Sequence, residues 1–501
     1  MADLTRKLPA AIVGNGSLLA SISARGRVEQ IWAPHPDRAT ADSPLAGDVE
    51  VDARGWTQSY VGATQMLRTL AHTDSGDVVI DHVVHDAKPV LLRRMTWPDG
   101  RTETLSAPDD VDESFDAVVT RRASVDAAMI GSAEPPLRER ATPLYERSLL
   151  VFDALADRET GAVVAAPECD AEQAHSGGYG FVWPRDLAFL ILAFLASGRH
   201  DLARGALRWL ARAQEPDGVW LQRHWTDGSV APSWCPHQLD ETAAVVFAYD
   251  AAWRHLGDET LDAELWPSAR RAAEFLLRSV DVDGLPRETY DLWEERQGCH
   301  AYTAASFVGA FRAASSLAQR HEPELSSVYA TAAERTAAAL ERAFWSEEHA
   351  CYLRTLGDPT VDASLLGLAW PFRAVDPRSD RMRATALAVE RDLGRPGGGI
   401  LRYAGDTYAG GNAWILAALW LGLVKRQLGD DAGHDGAVDY AARVATPLGL
   451  LAEQVTDDGR PAWVLPLAWS HAMLVLAVRP ELDLATVAHA VAAPPQRVAH
   501  P

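Results

Sequence analysis

The stretch GGYGFVWPRDLAFLILAFLASGRHDLARGALRWLARAQ, residues 177–214, decides the fold. A glycine turn leads through Pro184 into an apolar run, and after a break at Gly198 a second helical period begins at His200. The greasiest part, Phe189 to Ser197, follows Arg185 and Asp186 too closely to supply the roughly 18 to 20 apolar residues that cross a bilayer. It reads as a buried helix, joined by a very short connection to its neighbour.

The same period recurs on both sides of this unit. Apolar helical stretches fall at 142–157, 183–198, 200–214, 240–256, 261–279, 300–321, 323–345, 361–372, 380–392, 411–428, 434–447 and 466–478. Connections after the even-numbered stretches are short, and those after the odd-numbered ones are long. Short links make antiparallel hairpins, so the alternation describes six hairpins in a ring with every long loop on one face, an all-α (α/α)6 barrel.

Upstream the pattern changes to short alternating runs split by turn residues: 11–13, 17–23, 27–32, 65–70, 78–85, 91–97 and 117–124. These predict an all-β antiparallel sandwich over residues 1–133. A linker at 134–141 holds Pro135 and Pro136, the barrel spans 142–485 and a tail spans 486–501.

Composition narrows the function. A formal net charge of −22 repels phosphate backbones and anionic membrane surfaces, which argues against nucleic acid and membrane partners and favours a neutral ligand. Simple solubility accounts for that charge equally well. Cys169, Cys235, Cys299 and Cys351 form no Cys-x-x-Cys pair, so they read as reduced thiols and not as a zinc site or a disulfide framework. Residues 1–8 lack an apolar signal segment, which makes the cytoplasm the expected location.

Function should sit in the long loops, because unusually long connections on a rigid scaffold are seldom idle. The first carries Tyr179, Trp183, Arg185 and Asp186, an aromatic face for a pyranose and charges for its hydroxyls. A glycine turn with an anchoring Trp and an Arg-Asp cap explains the same residues structurally. The second holds Trp220, Trp225 and Trp234, read as stacking platforms, and ends in Asp240 and Glu241, which could equally serve the helix dipole.

The third loop places Glu294 and Glu295 beside Trp293. A carboxyl packed on an indole loses hydration, and its pKa rises toward that of a general acid. An exposed acidic turn is the plainer account. Asp362, in the fourth loop, reads as a helix cap. The fifth holds Arg402, Tyr403, Tyr408 and Asn412, with Trp414 just beyond; the sixth holds Glu453 and leads to Trp469 and His471. An isolated Glu in a loop is usually just solvated, but ring closure sets the third and sixth loops across one mouth. Glu453 and one of the paired glutamates can then flank a bond, which is what glycoside hydrolysis requires.

Five motifs in order, GGYGFVWPRD, QLDETA, YDLWEER, RYAGDTYAGGNAW and AEQV with PLAWSHA, make the chain resemble the glucoamylase family, glycoside hydrolase family 15. VGNGSLLASISARGRVEQIW at 13–32 and YERSLLVFDALADRETGAVVAAPE at 145–168 resemble the openings of its prokaryotic sandwich and its barrel. The resemblance implies an inverting exo-acting α-glucosidase with Glu294 as general acid, Glu453 as general base and Glu295 as a substrate ligand. It implies that Trp183, Arg185, Asp186, Trp234, Asp240, Trp293 and Arg402 line the innermost sugar site. It also implies no cofactor and no metal in the reaction; a structural calcium ion and a homo-oligomer are left open.

Two departures stand out. The front segment is shorter than the usual sandwich, so a rim loop lent by that sandwich is expected to be missing or altered. Met473 stands where many relatives carry Glu, and is expected to change substrate contacts. Competing readings are a trehalase or glucodextranase specificity, a phosphorylase or a histidine-driven epimerase using His237, His300 or His471, and a carbohydrate-binding protein without catalysis.

Overall fold

The computed structural model describes residues 8–40, 45, 49–108, 111–168, 178–479 and 482. Residues 1–7, Cys169, Gly177 and the tail 486–501 lie outside them.

Eight strands form the front region: β1 (Ala11–Gly14), β2 (Leu19–Ile22), β3 (Val28–Trp32), β4 (Gly55–Tyr60), β5 (Leu67–Thr73), β6 (Gly76–Val84), β7 (Leu91–Thr96) and β8 (Thr102–Ala107). They make a three-stranded sheet, β1-β2-β3, and a five-stranded sheet, β4-β5-β6-β7-β8, antiparallel throughout. Ala11, Val13, Ala20 and Ile22 of the small sheet pack on Leu67, Val84 and Leu91 of the large one. The alternate residues Ile12 and Leu19, together with Trp32, join the barrel core. The small sheet is therefore buried on both faces, and this couples the sandwich to the barrel.

The 117–124 run is not a strand. It lies in helix α1 (Phe115–Ser132), started by Ser114, whose hydroxyl accepts the Ala117 N–H. The β-branched Val118, Val119 and Thr120 favour a strand locally, but the buried stripe is Phe115, Val118, Arg122 and Asp126, a helical spacing with two charged members. Arg122 is paired with Asp126 and with Asp153 of the barrel.

The barrel helices are α2 (Thr142–Leu155), α3 (Pro184–Ala196), α4 (His200–Ala213), α5 (Leu239–Leu256), α6 (Glu259–Arg278), α7 (Ala301–His321), α8 (Pro323–Phe344), α9 (Asp380–Leu393), α10 (Ile415–Gln427), α11 (Asp431–Val444) and α12 (Ala468–Val478). The 361–372 run is a 3₁₀ segment, 363–368, in place of an α-helix. Pro371 supplies no N–H to extend it, and at Gly367 a Cβ would stand 2.6 Å from the Tyr302 ring, so the chain there lies flat on an aromatic neighbour. Contacts run α3 to α5, α5 to α7, α7 to 363–368, on to α10, α12 and back to α3. That inner ring closes, and α2 packs on α12 at its seam. All six inner elements begin at one mouth, which brings the preceding long loops together there. Among the described residues no helix is long and apolar enough to cross a membrane.

Candidate active site

At that mouth lies a pocket enclosing about 790 Å³ of empty space, its open entrance included. Tyr179, Trp183, Arg185, Asp186, Trp234, Trp293, Glu294, Glu295, Arg402, Glu453 and Trp469 all line it. Asp240 does not. It is fully buried behind Arg185, to which it is joined at 3.4 Å.

The Glu294 loop is a hairpin whose ends, 289–290 and 297–298, pair. Asp291 closes it: its backbone oxygen accepts the Glu294 N–H at 3.0 Å, and its carboxylate accepts the N–H groups of Glu295 at 2.8 Å and Arg296 at 3.2 Å. Glu294 adopts φ +66°, a left-handed conformation that costs a non-glycine residue about 1–2 kcal/mol. This turn sends three consecutive side chains in three directions. Trp293 donates to Asp362, Glu294 meets Trp183 and Gln222, and Glu295 meets Arg402 and Tyr403.

Glu294 Oε1 accepts the Trp183 indole N–H at 2.7 Å and lies 3.5 Å from the Arg185 guanidinium. Burial raises its pKa; Arg185 opposes the rise, and Asp186 adds to it. Beneath it, Arg185 is enclosed by Asp186 at 3.1 Å, Asp240 at 3.4 Å and Glu241 at 3.1 Å. Several acids share one buried cation, so burial pushes the Asp186, Asp240 and Glu241 carboxyls up further than Arg185 draws them down. The surrounding carboxylates in turn hold Arg185 charged despite its burial.

Glu453 has a different environment. Its Oε1 accepts the Tyr179 hydroxyl at 2.8 Å, and its Oε2 accepts Gln454 Nε2 at 3.1 Å. Tyr408 approaches the Tyr179 oxygen at 3.1 Å. The Tyr179 phenol is pushed well up by burial and then by Glu453, so it stays a proton donor. A small sheet of 413–414, 454–455 and 461–462 fixes the Glu453 backbone beside Trp414.

Arg402 grips Asp406 through two nitrogens at 2.8 Å each and Glu295 at 2.7 Å. Burial opposes its charge, but those partners more than offset that effect. Asp362 caps the 363–368 segment, as its spacing predicted, and also receives the Trp293 indole.

Other expectations change. Only Trp234 of the three loop tryptophans faces the pocket. Trp220 is fully buried and donates to Leu210 O at 2.9 Å, while Trp225 packs on Phe181 behind Trp183. A long loop lying across a barrel end buries aromatics of its own. Met473 is fully buried in the core and does not line the pocket. His471 bonds Ser148 Oγ at 2.8 Å and the Leu451 N–H at 3.0 Å, and burial lowers it to about 3. His300 bridges Thr355 and Thr289 O. Neither of these nor His237 lines the pocket, so the epimerase reading loses its acid and base.

A loop of the front region touches the second barrel loop away from the pocket lining. Asp37 accepts the Thr226 N–H at 2.8 Å, and Arg38 reaches Asp227 at 3.1 Å and covers Trp225. Sequence reasoning ranked Tyr408, Trp414 and Leu292 too low; all three line the pocket, and the first two fall inside the RYAGDTYAGGNAW motif. Gln222 of the second loop was given no role, because an amide in a loop carries no chemical signature.

The family model for glycosyl hydrolases family 15 matches residues 139–434, more than half of the chain. The chain belongs to glycosyl hydrolases family 15. Within the family it is 30% identical over 362 residues to an uncharacterized glycosyl hydrolase of Methanocaldococcus jannaschii, covering 69% of this chain and 57% of that protein. The chain thus spans little more than half of that relative's length. It is 29% identical over 351 residues to an isomaltose glucohydrolase of Kribbella flavida, covering 63% of this chain and 87% of that one. The crystal structure of a bacterial glucoamylase complexed with acarbose superposes with a TM-score of 0.77 over 95% of both chains at 17% identity, a likeness of fold.

Proposed function

We propose that this chain is an inverting exo-acting α-glucosidase that hydrolyses the terminal α-linked glucose of gluco-oligosaccharides. One observation carries the reading: two carboxyl groups face a single sugar-sized pocket in unlike surroundings. Glu294 is raised by burial and suited to hold a proton, while Glu453 lines the same pocket and accepts the Tyr179 hydroxyl and the Gln454 amide.

In the reaction, Glu294 passes its proton to the glycosidic oxygen as the bond to the anomeric carbon breaks. Glu453 takes a proton from a water on the opposite face, and that water's oxygen bonds the same carbon, releasing β-glucose. Arg185 and Asp186 bind hydroxyls at the floor, and Glu295, held by Arg402, binds others. Trp183, Trp293 and Trp469 wall the innermost sugar, and Trp234, half exposed, stands where the departing part leaves.

The names of the relatives, an isomaltose glucohydrolase and an acarbose-bound glucoamylase, support a gluco-oligosaccharide substrate. A cytoplasmic setting belongs to the same proposal, supported by Cys235, Cys299 and Cys351, which stand as free thiols. The test is incubation with maltose, isomaltose, kojibiose, trehalose and short dextrins, following the released anomer by NMR. β-Glucose should appear first, and release of α-glucose overturns inversion. Glu294→Gln and Glu453→Gln should each abolish turnover of these substrates with an unchanged circular dichroism spectrum.

A further inference from the structure

Gln222 does not line the pocket; it is fully buried behind Glu294. Its backbone N–H is fixed to Pro236 O at 3.1 Å. Its Nε2 donates to Glu294 Oε2, and its Oε1 accepts the hydroxyl of Ser233. The Ser233 oxygen itself accepts the backbone N–H of Cys235 at 3.1 Å.

The bonds run in one direction. Ser233 Oγ accepts the Cys235 N–H, which can only donate, and gives its own hydrogen to Gln222 Oε1; the amide then presents Nε2–H to Glu294. Glu294 thus meets two donors, the Trp183 indole on Oε1 and the Gln222 amide on Oε2. Both gain strength as the carboxyl loses its proton, because a hydrogen bond to an ionised acceptor is about twice as strong as one to a neutral acceptor.

We propose that Gln222, locked by Ser233 and the Cys235 backbone, is a positioning residue for proton delivery: it stabilises the Glu294 carboxylate as it forms and keeps the acid's proton turned toward the pocket. The proposal rests on the reading of Glu294 as general acid. It explains how a carboxyl raised by burial and Asp186 can still release its proton at the right moment. Among the described residues, the other charged or titratable groups around Glu294 are Arg185 and Asp186 of α3, Arg223 and the Cys235 thiol of the second loop, and Glu295 and Glu453 of the pocket lining.

The test compares an α-linked glucose disaccharide with α-glucosyl fluoride, whose fluoride departs with little help from an acid. Gln222→Leu should lower kcat/KM on the disaccharide roughly 10- to 100-fold and on the fluoride by less than about threefold. The basic limb of its pH profile should move upward, since the ionised acid has lost a donor. Ser233→Ala should shift both readouts the same way by a smaller amount, and it decides the matter if Gln222→Leu does not fold. Equal losses on both substrates with an unmoved basic limb would mean a merely structural role and overturn the proposal. Glu294→Gln separates the two readings: it should lose the disaccharide and keep the fluoride. If it keeps both, the acid assignment itself fails; if it behaves as expected while Gln222→Leu does not, only the role of Gln222 fails.

Discussion

The indole N–H of Trp293 donates to both oxygens of Asp362, at 2.9 and 3.1 Å, and the same carboxylate accepts the Ser364 N–H at 2.7 Å. A helix-capping residue on one loop therefore holds the residue before the proposed acid on another. Asp362→Ala leaves two buried N–H groups without a partner, each costing about 1–3 kcal/mol. The variant should melt several degrees lower and lose roughly 10-fold or more in kcat, because the left-handed turn at Glu294 is no longer held from behind. Thermal unfolding and steady-state kinetics check this, and an unchanged kcat in a folded variant refutes the coupling.

Arg402 satisfies Asp406 and Glu295 with a fork that a lysine cannot reproduce. Asp406 is buried, and losing half of its partner leaves a charge poorly compensated. Arg402→Lys should destabilise the protein by about 2 kcal/mol or more, and should raise KM more than it lowers kcat, in keeping with the proposed role of Glu295 as a substrate ligand and not a proton carrier. A fall in kcat at constant KM would contradict that division of labour.

The barrel was legible because its signals are regular: helical period, and loop lengths that alternate. What did not show was which side of a loop each aromatic takes. Trp220 and Trp234 belong to one polar loop, yet one is core and the other pocket, and the difference depends on where the loop lies against α4 and the Glu294 hairpin. Asp240 was expected around the sugar, but it and Glu241 both act on Arg185 from behind, and sequence does not show how deep the pocket reaches. Residues 115–132 read partly as a strand because three β-branched residues outweigh a helical stripe that includes Arg122 and Asp126. The loops that compose the site are far apart in sequence, so partners such as Gln222 and Glu294 have no local pattern to announce them.

Asp186, Asp240 and Glu241 are buried together with pKa values raised by burial, so the folded chain binds protons there more tightly than the unfolded chain. The stability tied to those protons is present in full below the unfolded carboxylate range, near pH 4, and is lost as pH rises through the raised folded values. Glu241→Gln imitates the protonated form at every pH. As pH rises from about 5 to 8, the unchanged chain should lose more stability than this variant. Parallel melting curves for the two proteins over that range would show that the cluster is not the source.

A short loop of the sandwich meets the barrel behind the pocket wall. Asp37 receives the Thr226 N–H, and Arg38 packs on Trp225, which meets Phe181, whose ring in turn meets Trp183, the donor to Glu294 Oε1. Each contact in that series is a packed ring or a hydrogen bond, so loosening its first member should be felt at the last, though weakened at every step. Asp37→Ala should therefore leave the fold intact and lower kcat/KM by roughly two- to fivefold, a loss of about 0.4–1 kcal/mol. Adding Arg38→Ala should deepen the loss by less than the sum of the single effects if both act through Trp225, because once that ring is loosened the second substitution has less to remove. A double-mutant cycle measures that coupling, and strict additivity would show that this loop supports the barrel without steering its acid.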